Sequence, residues 1–142
     1  MMRLWHKDLI PVLPKQQLIA QWRECCCIAR NISVNGAPNH ILVNKIMDYS
    51  IDHFWNYTNL VIYEMKERRY KVDIEKFLKH YRTFGEPWPT ILDEKLIYKN
   101  WHNERYLTQC YYNLQEKYDC GGITEEEWLL VAQEYNLRHT KR

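Results

Sequence analysis

The chain has 142 residues, 46% of them apolar or aromatic, with only four glycines and five prolines. That length allows one domain with a sizeable core, and that composition excludes a disordered protein. The formal net charge of +2 permits nucleic-acid binding, but any basic surface must be local. No apolar run reaches the roughly 18 residues of a membrane span, and the charges within residues 1–25 exclude a signal peptide. We therefore expect a soluble, intracellular protein of the cytoplasm.

The first helix is predicted from about residue 15, after a turn bounded by prolines. Its apolar residues recur at steps of three and four, which is the spacing of one buried face. This face consists of Leu18, Trp22, Cys25 and Ala29. The polar positions of the same helix are Gln16, Gln17, Gln21, Arg23 and Glu24. Residues 31–39, which include an Asn-Gly and an Ala-Pro pair, are predicted to form a loop.

A short helix is predicted over residues 40–48. Its apolar positions are Ile41, Val43, Ile46 and Met47. Ser50 suits the N-cap of the next helix, which should end near Arg68 and Arg69. The predicted buried face of that helix consists of Phe54, Thr58, Val61, Ile62 and Met65.

Another short helix is predicted within residues 71–82, and two prolines in residues 83–90 prevent it from continuing. A long helix should begin at Asn103 and end at the glycines that start with Gly121. Its expected buried face consists of Leu107, Cys110, Tyr111, Leu114 and Tyr118.

Thr124 and Glu127 match a capping box, so the last helix should begin at Glu125. We expect it to end by Asn136, with a basic tail from about residue 137. The predicted fold is all-α, a single compact domain of about five helices joined by irregular loops and comprising all 142 residues.

Three of the five cysteines are consecutive, at Cys25, Cys26 and Cys27. Neighbouring residues of a helix point in different directions around its axis, and an odd number of cysteines argues against a disulfide framework. The sequence has no CxxC, HExxH or glycine-rich phosphate-binding motif. We expect free thiols, and neither a metal nor a nucleotide cofactor.

Three short blocks occur near the N-terminus: Arg3-Leu4, Gln16-Gln17 and Trp22-Arg23-Glu24. They resemble the opening of the phage pyrimidine-dimer DNA glycosylase/abasic-site lyase family (T4 endonuclease V-like). Residues 54–72 are similar to the second helix of that family, and residues 103–118 loosely resemble its third. The likeness therefore extends over most of the chain, although only the N-terminal blocks are specific.

The resemblance implies a DNA-repair enzyme that needs no cofactor and acts on double-stranded DNA carrying damaged pyrimidines or abasic sites. Such an enzyme would associate with the nucleoid when it acts. In the family a free N-terminal amine forms an imine with the sugar, and an acid corresponding to Glu24 assists. An α-amine suits this role because its ordinary pKa lies near 8, roughly two units below that of lysine.

The resemblance also implies a DNA-binding surface. Positions that contact DNA in the family correspond to Arg3, Gln16, Gln17 and Arg23. Cys27 stands where the family has a further arginine, so one expected contact is missing. Arg30 adds a basic group that we expect on the same side of the molecule.

The residue that carries the amine is left open by the sequence. The family residue before the arginine corresponds to Met2, but Met1 is normally removed only when a small residue follows it. Both methionines are therefore candidates. The lesion specificity and the oligomeric state are equally open.

Two alternatives remain. A divergent member that retains only the lyase activity is favoured by the near-neutral charge and by Cys27. A non-catalytic helical module that binds nucleic acid or a protein would use exposed aromatic residues, for which Trp88 and Trp101 are the best candidates. It would also use a second basic cluster, formed by Lys66, Arg68, Arg69 and Lys71. The resemblance further places His102 and Glu104 near the site.

Overall fold

The computed structural model describes residues 3–140, apart from the side chains of residues 139 and 140. These residues form five α-helices and three short 3-10 helices, and no strand occurs among them. The α-helices are α1 (Lys15–Asn35), α2 (Ile51–Glu67), α3 (Glu75–Tyr81), α4 (Glu104–Asp119) and α5 (Glu125–Thr140). The 3-10 helices are Lys7–Val12, Asn44–Asp48 and Glu94–Leu96. The all-α prediction is confirmed.

The helices surround one hydrophobic core. Helix α1 packs against α2 and α3, and α4 packs against α5. The 3-10 helix Lys7–Val12 contacts both α2 and α5, so it joins the two groups. The residues just before it are buried as well, with Leu4 and His6 completely inaccessible to solvent. Residues 4–6 therefore run through the middle of the fold.

Helix α1 has the buried face that the sequence predicted, but it is longer than expected. The predicted loop over residues 31–39 is confirmed only from Gly36 onward, because the helix continues to Asn35. Ile32 is buried on the same face and extends the apolar stripe by one turn. Gly36 then ends the helix with φ = 77°, a left-handed conformation that glycine adopts without strain, and its N–H bonds to the Ile32 carbonyl.

Helix α2 follows the prediction in both its buried face and its end. Ser50 occupies the N-cap, although its side chain forms no capping hydrogen bond. The predicted helix over residues 40–48 is confirmed only as the 3-10 helix Asn44–Asp48. Within it and just before it, Val43 and Ile46 face the core three residues apart, which matches the 3-10 period. Ile41 is 85% exposed and contributes nothing to the core.

The capping box of α5 is confirmed. The Glu127 N–H donates to Thr124 Oγ1 at 3.1 Å, and Glu127 Oε1 accepts the Thr124 N–H at 3.1 Å. The predicted end by Asn136 is wrong, because α5 continues to Thr140. Arg138 is part of this helix, bonded to Glu134 at 2.7 Å, rather than part of a free basic tail. Residues 141 and 142 lie outside the described part of the chain.

Candidate active site

The arm (residues 3–6) is an extended segment whose backbone is held by side chains instead of by a neighbouring strand. Gln21 of α1 is completely buried and bridges it. Gln21 Oε1 accepts the Trp5 N–H at 2.8 Å, and its Nε2 donates to the Arg3 carbonyl at 2.9 Å. Because buried backbone groups need partners, Gln21 sets the register of the arm on α1.

Two tyrosines hold further carbonyls of the arm. The Tyr57 hydroxyl donates to the Trp5 carbonyl at 2.5 Å and lies 3.2 Å from Gln21 Oε1. The Tyr106 hydroxyl donates to the Leu4 carbonyl at 2.5 Å. Burial raises the pKa of both phenols well above their ordinary value, so both remain protonated donors. The arm is thereby fastened to α2 and α4 as well as to α1.

His102 bonds to the last residue of the arm and to the residue that follows it. Its Nδ1 accepts the Lys7 N–H at 2.9 Å, and its carbonyl lies 2.9 Å from His6 Nε2. Burial lowers the pKa of His102 well below its ordinary value, an effect that the neighbouring His6 and Lys7 reinforce. The imidazole is therefore neutral, as its accepting Nδ1 requires. Glu104, by contrast, is exposed in the first turn of α4.

Glu24 meets the outer end of the arm. It follows Gln21 by three residues on α1, and its Oε2 accepts the Arg3 N–H at 3.2 Å. Partial burial raises the pKa of Glu24, while the hydrogen bond from Arg3 and the charge of the Arg3 guanidinium act in the opposite direction. A carboxyl group with a raised pKa exchanges protons closer to neutral pH than an exposed one.

Arg3, the first described residue, lies next to this carboxylate. Met1 and Met2, the candidate amine-bearing residues, lie outside the described residues. Arg3 is half-buried, and its guanidinium carbon lies 5.0 Å from the centre of the Trp5 ring, in cation–π geometry. The ring therefore constrains where the Arg3 charge can point.

The predicted DNA-binding residues of α1 share one side of the helix. Gln16, Arg23 and Arg30 are all exposed and follow one another at intervals of seven residues, close to two turns. They form the outer stripe of α1 (Gln16, Arg23, Cys27 and Arg30), which covers roughly 20 Å. Gln17 and Glu24, also seven residues apart, are half-buried on the flank of the stripe.

The arginines of the stripe differ from those elsewhere in the fold. Within the described part of the chain, Arg23 and Arg30 form no ion pair. Arg68 instead bonds Glu64 at 2.8 Å and the Leu13 carbonyl at 2.7 Å. Its inclusion in a free basic cluster was wrong, because it links α2 to the residues before α1. The two stripe arginines are available to bind an external anion.

The expectation of two exposed tryptophans is half confirmed. Trp88 is 91% exposed. Trp101 is buried against Tyr98 and His102, with ring centres 4.9 and 5.0 Å away, so its prediction as a surface residue was wrong. Its neighbours in sequence are polar, so no local pattern indicated that Trp101 packs in the aromatic cluster with Tyr98 and His102.

A cavity of about 770 Å³ lies on the opposite flank of α1 from Glu24. Its walls include Trp22, Tyr70 and Met65, together with the cations Arg23 and Lys76. Neither Glu24 nor the arm borders it. Arg23 belongs both to the wall of this cavity and to the outer stripe. The cavity is separate from the candidate active site, which is formed by Glu24 and the arm.

Sequence reasoning missed the residues that hold the arm. Gln21 was grouped with the polar positions of α1, although it stands between the buried Leu18 and Cys25. That position was the available signal. No local pattern marked Tyr57, Tyr106 or His102 as partners of the arm, because they are 52, 102 and 95 residues distant from their bonded groups.

All five cysteines are free thiols. Among the described residues no three His, Cys, Asp or Glu side chains lie together as metal ligands would. None of the helices in the described part of the chain is both long and apolar enough to cross a bilayer.

The fold and the site define a small helical domain in which an acid is bonded to Arg3, beside a helix face whose two arginines form no ion pair with any described residue. A sequence model of the pyrimidine dimer DNA glycosylase family matches residues 2–78. That match spans more than half of the 142 residues, and the chain belongs to this family. Comparisons with curated proteins and with solved structures find no match. Membership indicates a DNA glycosylase whose substrate is DNA that contains pyrimidine dimers.

Proposed function

We propose that this glycosylase also cleaves abasic sites, and that both reactions proceed through an imine formed by its N-terminal α-amine. The observation that supports the proposal is the 3.2 Å hydrogen bond between the Arg3 N–H and Glu24, which ties an acid to the chain start. The proposed catalytic groups are Glu24 and the amine of Met1 or Met2. Arg3, Gln16, Gln17, Arg23 and Arg30 are the proposed DNA contacts.

Covalent geometry limits the distance between the amine and Glu24, whichever methionine carries it. Three bonds, together about 4 Å, connect the nitrogen of residue 2 to that of Arg3. An amine on Met2 therefore lies within about 7 Å of the carboxylate, given the 3.2 Å hydrogen bond. An amine on Met1 lies within about 11 Å. These limits are compatible with a single sugar that contacts both groups.

The amine begins the reaction as a nucleophile. Its lone pair forms a bond to the sugar C1′ while the glycosidic bond breaks, and the released base takes the bonding electrons and a proton. Opening of the sugar ring, with loss of a proton from nitrogen, gives the imine. The imine acidifies the C2′ proton, whose removal expels the 3′ phosphate and cleaves the strand. Hydrolysis of the imine then restores the amine.

Glu24 assists at two points. As a carboxylate it stabilises the positive charge that develops on the sugar and on the iminium nitrogen. As an acid with a raised pKa it can accept and return the proton that moves during ring opening and elimination. It also accepts the Arg3 N–H, so the same group orients the chain start.

The outer stripe of α1 binds the phosphate backbone of the DNA. Arg23 and Arg30 are about 10 Å apart along the helix, so they meet phosphates that are not adjacent. Distorting the duplex to expose the lesion costs a few kcal/mol, which these contacts must offset. Affinity should consequently fall steeply with salt concentration.

Borohydride trapping tests the mechanism. Duplexes that contain either a cyclobutane pyrimidine dimer or an abasic site are incubated with the protein and reductant, and the adducted peptide is identified by mass spectrometry. We expect an adduct at the α-amine of Met1 or Met2, which also identifies the nucleophile. Binding without an adduct on either duplex would contradict the imine and favour the non-catalytic module.

The variant Glu24→Gln tests the catalytic role of the carboxylate without removing its hydrogen bond to Arg3. Its carboxamide oxygen can still accept the Arg3 N–H, but it carries no charge and cannot exchange protons. We expect strand cleavage to be lost while DNA binding is largely retained. Glu116→Gln, at an exposed position on α4, is the matched control. Normal cleavage by Glu24→Gln would show that the carboxylate has no catalytic role.

A further inference from the structure

Trp88 projects from the loop between α3 and the 3-10 helix Glu94–Leu96, and 91% of its surface is exposed. Ile91, three residues further along the same loop, is 79% exposed. Both lie beyond residues 2–78, the part of the chain that the family model matches. Neither belongs to the core or to the proposed catalytic groups, so the proposed function does not account for this exposed apolar pair.

The loop that carries Trp88 is held on both sides of it. On one side the Gly85 N–H donates to the Tyr81 carbonyl at 2.7 Å, and a Cβ atom at Gly85 would lie 2.2 Å from the Tyr81 ring. On the other side the carboxamide of the buried Asn56 donates to the Thr90 carbonyl at 2.7 Å. These contacts fix the loop against α2 and α3, so the fold itself holds Trp88 outward.

Two prolines flank Trp88 directly. Pro87 and Pro89 have fixed φ angles, so the segment loses little conformational freedom when it binds to another surface. Tryptophan buries a large area with few rotatable bonds, and it is enriched among the residues that dominate binding energy at interfaces. Trp88 therefore has the properties of an interface anchor.

An open groove of about 360 Å³ lies beside this loop. The apolar walls of this proline groove are Trp55, Leu78, Tyr81, Pro87 and Pro89. The ring centres of Trp55 and Tyr81 are 5.1 Å apart. A closed cavity of about 150 Å³ holds one benzene-sized ring, so the groove has room for the two fused rings of an indole. Trp88 itself is not one of its walls.

The charges of the proline groove do not suit DNA. Among the described residues that border it, the one cation is Arg82, which is bonded to both carboxylate oxygens of Glu75 at 2.9 and 3.0 Å. The one acid at its border is Glu86. A phosphate would therefore meet a cation that is already paired, whereas an apolar protein side chain would meet rings and prolines.

The anchor and the groove belong to one chain and adjoin each other. Two copies related by a twofold axis can therefore exchange them, with each copy inserting Trp88 into the proline groove of the other. Such a contact uses the same surface on both copies, so it closes at a dimer and does not continue into a filament. We propose that this chain forms a dimer through reciprocal insertion of Trp88. The inference goes beyond the proposed function and does not depend on it.

The area of this contact corresponds to a weak dimer. An aromatic side chain buries about 150–250 Å². Each inserted indole also covers a similar area of groove wall, so the two insertions bury about 800 Å² in total. Stable complexes bury roughly 1,200–2,000 Å². The dimer should consequently form and dissociate with protein concentration.

Sedimentation velocity over about 5 to 500 µM tests the association. We expect the weight-average mass to rise from 17.5 kDa toward about 35 kDa, twice the mass of the chain. Trp88→Ala removes both anchors and should raise the dissociation constant at least about 100-fold. Because Trp88 is 91% exposed, its loss leaves the core intact. Tyr63→Ala, at a 64% exposed position on α2, is the matched control and should associate as the wild type does.

Photo-crosslinking tests where the anchor lies. A benzophenone amino acid replaces Trp88, and this protein is mixed with an isotope-labelled copy so that crosslinks between copies are recognised by mass. We expect these crosslinks at Trp55, Leu78 or Tyr81 of the second copy. Leu78→Trp in the labelled copy narrows the groove and should reduce them.

Three results would overturn the proposal. The first is a mass that stays at 17.5 kDa over the whole concentration range. The second is a Trp88→Ala variant that associates as strongly as the wild type. The third is a set of crosslinks between copies that lie outside the proline groove. If the chain stays monomeric while a synthetic peptide of residues 86–91 binds the groove, the occupant is another protein and the assignment to a second copy is wrong.

Discussion

Replacement of Gln21 by methionine should loosen the arm without collapsing the fold. Methionine has nearly the same length and is apolar, so it fills the site but can neither accept the Trp5 N–H nor donate to the Arg3 carbonyl. Both backbone groups would be left without the partner that the structure provides. Of the two hydrogen bonds, the one donated by the Trp5 N–H is the more deeply buried.

The expected loss of unfolding free energy follows from these two backbone groups that lack a partner. Each buried polar group without a partner costs about 1–3 kcal/mol, and the half-exposed Arg3 carbonyl lies at the low end of this range. Burying an apolar side chain in place of a carboxamide offsets about 1 kcal/mol. The expected loss is therefore about 1–3 kcal/mol, a sizeable part of the 5–15 kcal/mol typical of a domain.

Urea denaturation measures the loss of stability, and borohydride trapping on abasic DNA measures how well the amine is positioned. We expect the unfolding free energy to fall by this amount, and the trapping rate to fall further than DNA affinity does, because Gln21 positions the amine. Gln133→Met on the exposed side of α5 is the control. Tyr57→Phe should act in the same direction, and the two changes should be non-additive, since both partners hold Trp5. A stability of Gln21→Met within about 0.5 kcal/mol of wild type would refute the anchoring role.

Three further predictions concern other contacts. The pKa of His102 is lower in the folded protein than in the unfolded chain, so stability should decline as pH falls below about 6.5, by at most about 1.4 kcal/mol per pH unit. His102→Asn, which keeps an acceptor, should weaken this dependence in pH-dependent urea titrations, while His53, whose pKa burial also lowers, continues to contribute. Cys27→Arg should tighten DNA binding and steepen the logarithmic salt dependence by about one unit, whereas Gln133→Arg should not. Glu127→Ala should lower the unfolding free energy by about 1–2 kcal/mol, because this carboxylate caps both α1 and α5, and Glu126→Ala should have little effect.

The sequence alone determined the features that depend on local spacing. The buried face of α1, the buried face of α2 and the capping box at Thr124 could be predicted because helical periodicity and capping involve residues a few positions apart. The blocks that include Arg3 and Trp22-Arg23-Glu24 likewise indicated the family, whose sequence model matches residues 2–78.

The tertiary structure alone decided how the start of the chain is held. Gln21 stands among the buried positions of α1, but local spacing does not show that its carboxamide bonds to the arm. Tyr57, Tyr106 and His102 come from two helices and a turn far along the chain, and they meet only at the arm. Periodicity shows which side of a helix faces inward but not which segment lies against it. The same limit applies to Trp101, whose burial depends on a cluster of rings that no local pattern describes.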